Sequence, residues 1–173
     1  SGLERDWPQA RGIFHNLEKT FLVWLNEEDQ LRIISMQKGF NMSQILNRLS
    51  IASDKIERKA KFAFDERLGY ITSCPSNLGT GIRASVHIRL PKLRKKMSLF
   101  RSIAEKYQLD MRGKNGEHSE QSNVFDISNA RRLGRSEVEL VQDMYEGVKA
   151  LIAAEKSLKM RKRRTTRRQR CKL

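Results

Sequence analysis

A chain of 173 residues, 38% hydrophobic and 32% charged, holds enough apolar material for one domain with a core and has a soluble, globular balance. It has no run of about 18 apolar residues to cross a membrane, no apolar signal region in SGLERDWPQ, and only two cysteines, Cys74 and Cys171, which excludes a disulfide framework and points to a reducing compartment. The net charge of +15 is uneven: ten Lys and Arg and no Asp or Glu lie from Lys156 onward, which leaves 25 bases against 20 acids in the body.

In chain order, GIFHNLEKTFLVWLNEED reads as two strands around a polar Asn-Leu-Glu-Lys turn, a hairpin. LRIISMQ, rich in Ile, reads as a third strand. Ser43 to Lys59 reads as a helix, with Ile45, Leu49, Ala52 and Ile56 as its apolar stripe. LGYITSC and IRASVHIRL read as further strands. In the second, Ile82, Ala84, Val86, Ile88 and Leu90 point one way, and Arg83, Ser85, His87 and Arg89 the other. Ser98 to Tyr107 reads as a short helix packing through Leu99, Ile103 and Tyr107. LDMR and NVFDIS read as short strands around a polar loop. Ser136 and Glu139 form a capping box that opens a long helix, whose stripe is Val141, Met144, Tyr145, Val148, Leu151 and Ile152. Several connections are too short for a parallel crossover. The expected fold is therefore α+β: a mainly antiparallel β-sheet flanked by helices over residues 1–158, then a basic, disordered tail at 159–173.

Four stretches carry more polarity than packing asks for. Cys74 closes a strand, precedes a proline and has the Ser76 hydroxyl two residues on. A hydroxyl donating to the sulfur, with arginines nearby, would favour the thiolate; a small buried hydrophobe is the plain alternative. NEEDQLRI puts Glu28, Gln30 and Arg32 on one strand face, which fits a structural ion pair or a guanidinium acceptor beside a phosphate clamp. The Arg83–His87 face fits a solvent face or a site. RGKNGEHSE adds Arg112, Glu117 and His118 on a loop that fits a lid or a plain surface. No metal-ligand spacing and no Gly-Lys-Ser/Thr phosphate loop occurs, so no metal is assigned to protein ligands. Three arginines, two carboxylates, a thiol and two histidines together suit phosphoryl transfer to a guanidino nitrogen, where charge stabilisation and positioning do most of the catalysis.

GIFHNLEKTFLVWLNEEDQLRIISMQ, CPSNLGTGIRASVHIRLPKL and VFDISNARRLGRSEVELVQ, in this order and spacing, resemble the C-terminal half of the phosphagen (guanidino) kinases, from about Asp6 to Lys156. The resemblance implies reversible phosphoryl transfer between Mg-ATP and a guanidino compound, with Mg2+ held through the nucleotide phosphates. It implies that Glu28 orients the guanidinium, that the Cys74 thiolate contacts the same substrate, and that Glu117 is a second substrate carboxylate. Arg32, Arg83 and Arg112 match arginines that clamp ATP phosphates, His87 lies beside the adenine, and His118 lies next to the nucleotide. The glutamate in RGKNGEH is similar to arginine kinases, while CPSNLGTG is more similar to creatine kinases. Arginine or a close analogue is the expected substrate, with taurocyamine or another guanidino compound open.

Three departures from the family pattern carry expectations of their own. The family's helical N-terminal domain and the first part of its catalytic domain are missing, so the missing half or a second copy is an expected partner. The loop EHSEQSNVFD is one residue short and lacks the family's paired glycines, which would stiffen a lid. The tail KMRKRRTTRRQR suits anionic membrane, nucleic acid or an import receptor, and the final CKL resembles the peroxisomal S-K-L address. The expected location is cytoplasmic, with peroxisome and nucleus as alternatives. The competing reading is an inactive remnant that acts as a nucleotide- or anion-binding module through its basic tail.

Overall fold

The computed structural model describes residues 4–113 and 123–170, with side chains up to residue 158. The elements are β1 (Gly12–His15), β2 (Phe21–Leu25), β3 (Leu31–Ser35), α1 (Met42–Glu57), β4 (Phe64–Asp65), β5 (Gly69–Tyr70), β6 (Ser85–Arg89), α2 (Met97–Lys106), β7 (Leu109–Gly113), β8 (Val124–Asn129) and α3 (Glu137–Arg170). The strands pair antiparallel throughout, so the α+β expectation holds, but they form three small sheets, ordered β1-β2-β3, β4-β5 and β6-β8-β7. The chain divides into two compact units, residues 1–81 and 82–173.

In the first unit the expected hairpin forms, with Phe14 opposite Val23, and β3 adds to β2 with Arg32 opposite Trp24. Asn16 makes the turn: its Oδ1 accepts from the Thr20 and Phe21 amides at 2.9 and 3.0 Å, and its Nδ2 donates to the Thr20 hydroxyl. Asn41 caps α1 by accepting from the Gln44 amide at 3.2 Å. The stripe Ile45, Leu49, Ala52 and Ile56 is half-buried, and the helix packs on β3.

LGYITSC, expected as a full strand, forms only the two residues of β5. Its neighbours run out quickly: Tyr70 pairs with Phe64 on one side, and on the other exchanges backbone hydrogen bonds with Gly79 at 2.7 and 3.3 Å. Beyond Ile71, Thr72 donates its hydroxyl to the Cys74 carbonyl at 2.7 Å and turns the chain into a single 3-10 turn, Pro75–Asn77. Gly69, at φ +73, permits this crossing, because a Cβ there would sit 2.6 Å from the Gly79 carbonyl oxygen.

The second unit is built on the row alternation of β6-β8-β7. Val86, Ile88, Phe125, Ile127, Leu109 and Met111 share one face; Ser85, His87, Asp126, Ser128, Asp110 and Arg112 share the other. Helices α2 and α3 pack with the sheet to bury Leu90, Leu93, Phe100, Ile127, Met144, Val148 and Leu151, each worth about 1.5–3 kcal/mol. The expected packing face of α2 is out of phase. Phe100 and Ala104 are buried while Leu99 stays exposed, because Phe100 meets Phe125 edge-to-face at 4.9 Å. The stripe of α3 is as expected, and its capping box forms: the Ser136 amide and hydroxyl donate to Glu139 at 2.8 and 2.9 Å. Gly147 lets α3 approach β7, since a Cβ there would lie 2.5 Å from Leu109 Cδ1 and 2.8 Å from Tyr107 Cβ. Farther along, Glu155 accepts from the Lys92 and Leu93 amides at 2.8–3.1 Å and ties α3 to the turn before α2. The α3 backbone runs on to Arg170, into the residues expected as a disordered tail. No Gly or Pro follows Gly147, and Lys, Arg, Met and Gln are good helix formers.

Candidate active site

Two clusters, one in each unit, hold the residues singled out in the sequence. In the first unit the tight loop between β2 and β3 presents Glu27, Glu28 and Asp29. Asn26 closes it at φ 54, with its amide donating to the Gln30 carbonyl at 2.9 Å. This loop is fastened to the Cys74 turn. Asp29 Oδ1 accepts from the Cys74 amide at 3.0 Å, Asp29 Oδ2 accepts from Asn77 Nδ2 at 2.7 Å, and Gln30 Nε2 donates to Ser73 Oγ at 2.9 Å. Glu28 is exposed on the loop that Asp29 ties to Cys74. Cys74 is a half-buried free thiol, with Sγ 3.0 Å from the Ser76 hydroxyl, the contact that the Cys-Pro-Ser spacing suggests.

Arg32 projects from β3 across its strand partner Trp24, with the guanidinium 5.1 Å from the ring centroid. Its ion-pair partner is Glu27, at 3.3 Å, not the Glu28 that strand alternation suggests. The alternation fails there because the chain is turning through Asn26–Gln30 and strand geometry begins only at Leu31.

In the second unit two expected nucleotide ligands, Arg83 and His87, meet at the Asp126 carboxylate, and a third, Arg112, stands in its row. His87 and Arg112 stand opposite Asp126 from either side, in one row across β6, β8 and β7. Arg83 donates from Nη2 to Asp126 Oδ2 at 2.7 Å, and His87 Nε2 lies 3.7 Å from Asp126 Oδ1. Arg112 also lies 4.0 Å from Asp110. Asp126 is largely buried, and its Oδ1 makes no hydrogen bond among the described residues. Glu117 and His118 lie outside the described residues.

Sequence reasoning passed over Asp29, Glu27, Asp126 and Asn129. Asp126 was within reach: in VFDIS it is the lone charge between Phe125 and Ile127, and so belongs on the face that Arg83 and His87 share. Asp29 carries no such signal, because its role depends on a turn 45 residues away.

What the arrangement can do chemically follows from its charges. The exposed His87 and Arg112 and the half-buried Arg83, around a single held carboxylate, suit an anion, and a carboxylate loop beside a thiol suits a planar cation.

Known proteins resemble this chain over most of its length. The profile of the family described as ATP:guanido phosphotransferase, C-terminal catalytic domain, matches residues 1–158. Arginine kinase 1 of Drosophila melanogaster is 55% identical over 155 residues, 89% of this chain and 44% of that protein. Arginine kinase of Limulus polyphemus is 54% identical over 154 residues, 88% of this chain and 43% of that protein. Among solved structures, lombricine kinase superposes with a TM-score of 0.82 at 49% identity, over 90% of this chain and 44% of that one. The duplicated taurocyamine kinase of Schistosoma mansoni with bound transition-state-analogue components superposes with a TM-score of 0.78 at 50% identity, over 87% of this chain and 21% of that one. The chain thus spans less than half the length of each of these relatives.

Proposed function

This chain belongs to the ATP:guanido phosphotransferase family, and from that premise we propose that it supplies the guanidino- and nucleotide-binding part of an enzyme moving a phosphoryl group reversibly between Mg-ATP and a guanidino compound. Arginine is the favoured substrate, since Glu117 adds a second carboxylate for a guanidinium and the curated relatives named above are arginine kinases. The observation that carries the reading is the convergence of Arg83, His87 and Arg112 on the Asp126 row.

In this reading Arg32, Arg83 and Arg112 neutralise phosphate oxygens, His87 and His118 flank the nucleotide, and Glu28, Glu117 and Cys74 gather around the substrate cation. Catalysis is then chiefly positioning and charge compensation, with fixed guanidinium groups aimed at the charge of the transferring phosphoryl group. The residues fit the nucleotide, because the cationic face matches phosphate oxygens. Among the described residues no three His, Cys, Asp or Glu side chains gather around one point. In this reading magnesium would be carried on the nucleotide phosphates, where it would supply charge neutralisation. Calorimetry with Mg-ADP tests the reading. Arg83→Ala is expected to weaken binding by about tenfold or more, and equal affinities for wild type and variant would overturn it.

A second reading rests on a separate observation. The family match ends at residue 158, where bases accumulate without a single acid. We infer that residues 159–173 bind a polyanion, through contacts that weaken as salt rises.

A further inference from the structure

The backbone that carries Arg83 is held by a side chain with no place in the chemistry above. The strand register of β6 and β8 ends at Ser85 opposite Ser128, with one more main-chain bond from the Asn129 amide to the Ala84 carbonyl at 3.3 Å. One step farther on, the Asn129 amide side chain takes over. Its Oδ1 accepts from the Ala84 amide at 2.8 Å, and its Nδ2 donates to the Ile82 carbonyl at 3.1 Å. These two bonds bracket Arg83 on both sides. Nδ2 also donates to the Arg131 carbonyl at 2.6 Å, which locks the turn leaving β8 to the same point. Asn129 is 2% exposed, so these bonds do not compete with water. An amide suits the place because one end must accept while the other donates twice, which neither Asp nor Leu can do.

We propose that Asn129 is a positioning residue for nucleotide binding: it sets the backbone from which Arg83 reaches the phosphates. The proposal rests on Arg83 as a phosphate ligand. The guanidinium then needs two fixed ends. Asp126 holds the side chain at Nη2, and Asn129 holds the main chain at Ile82 and Ala84. A guanidinium fixed in advance loses less freedom when it meets a phosphate, and an ångström of drift at its Cα would spoil the charge alignment.

The test is Mg-ADP binding by calorimetry on the chain as it stands, for wild type, Arg83→Ala, Asn129→Asp and the double variant. Asn129→Asp keeps the size and the acceptor for Ala84 but turns a carboxylate toward two carbonyls. Its affinity is expected to fall about tenfold. In the Arg83→Ala background the same change is expected to cost nothing more, a coupling that a purely structural role would not produce. Asn129→Ser, too short to reach Ala84 and Ile82 together, replaces it if the carboxylate prevents folding. Two outcomes overturn the proposal: wild-type affinity in the Asn129 variant, or an equal loss with and without Arg83. If wild type and Arg83→Ala bind alike, or neither binds, the phosphate role of Arg83 fails first and the proposal falls with it.

Discussion

At the scale of single residues, the clearest lesson is that carboxylates hold the candidate site residues in place. Asp29 fastens Cys74 and Asn77, Glu27 holds Arg32, and Asp126 holds Arg83. Of these, Asp29 makes the sharpest case, because a charged acceptor satisfies a main-chain amide 45 residues away. Hydrogen bonds to charged groups contribute about 1.5–3 kcal/mol. Asp29→Ala is therefore expected to lower stability by about 1–3 kcal/mol in urea unfolding, and to release the Cys74 amide to fast hydrogen exchange. Unchanged protection at Cys74 would mean that Asp29 does not hold the turn. Cys74 could be singled out from sequence by its odd setting before a proline, Arg83 and His87 by their shared polar face on an alternating strand, and Arg112 by its polar loop, whereas Asp29 and Asn129 look ordinary until their partners arrive from elsewhere in the chain.

At the scale of elements, α3 shows how far local chemistry reaches. Its start is written in Ser136 and Glu139, and the cap forms as written. The Glu139 carboxyl is held below its ordinary value of 4.5, first by the Ser136 amide, then by the Ser136 hydroxyl and by Arg135. A depressed folded-state value means that the stabilisation is present above the unfolded-state value and is lost as pH falls through the folded one. Wild type is therefore expected to be more stable than Glu139→Gln near neutral pH, with the gap closing on acidification to about pH 3. A gap that stays constant across that range, measured by urea unfolding, would show that the charged cap contributes nothing. The opposite case is α2, where the periodicity revealed a helix but not its phase. Leu99 and Phe100 are both apolar, and only Phe125 across the interface selects Phe100. In β5 the local sequence favours a strand, yet no partner remains beyond Ile71, and the ladder stops.

At the scale of the whole molecule, packing and charge are both lopsided. Among the described residues every buried apolar side chain lies in the second unit, from Ala84 onward. The first unit carries half-buried stripes and exposed Ile13, Phe14 and Leu25. Charge is skewed as well, since ten of the 35 bases lie from Lys156 onward. Each phosphate neutralised on duplex DNA contributes about −0.9 to the slope of log affinity against log salt. Truncation after residue 158 is expected to flatten that slope for a duplex oligonucleotide, without weakening Mg-ADP binding. If the truncated chain binds the oligonucleotide with the full slope, the tail is not the polyanion site.

What the sequence determined by itself is whatever depends on neighbours along the chain: the β1–β2 hairpin, the capped start of α3, the two faces of β6, and the short list of chemically unusual residues. Those features arise from turn chemistry, capping and alternation, which act over a few residues. The tertiary structure alone decided the division into three sheets, the phase of α2, the choice of Glu27 over Glu28 for Arg32, and the meeting of Arg83 and His87 at Asp126 with Arg112 in the same row. Each of these depends on a partner brought from a distant part of the chain, and a hydrogen bond or ion pair forms only where folding places donor and acceptor within about 3 Å.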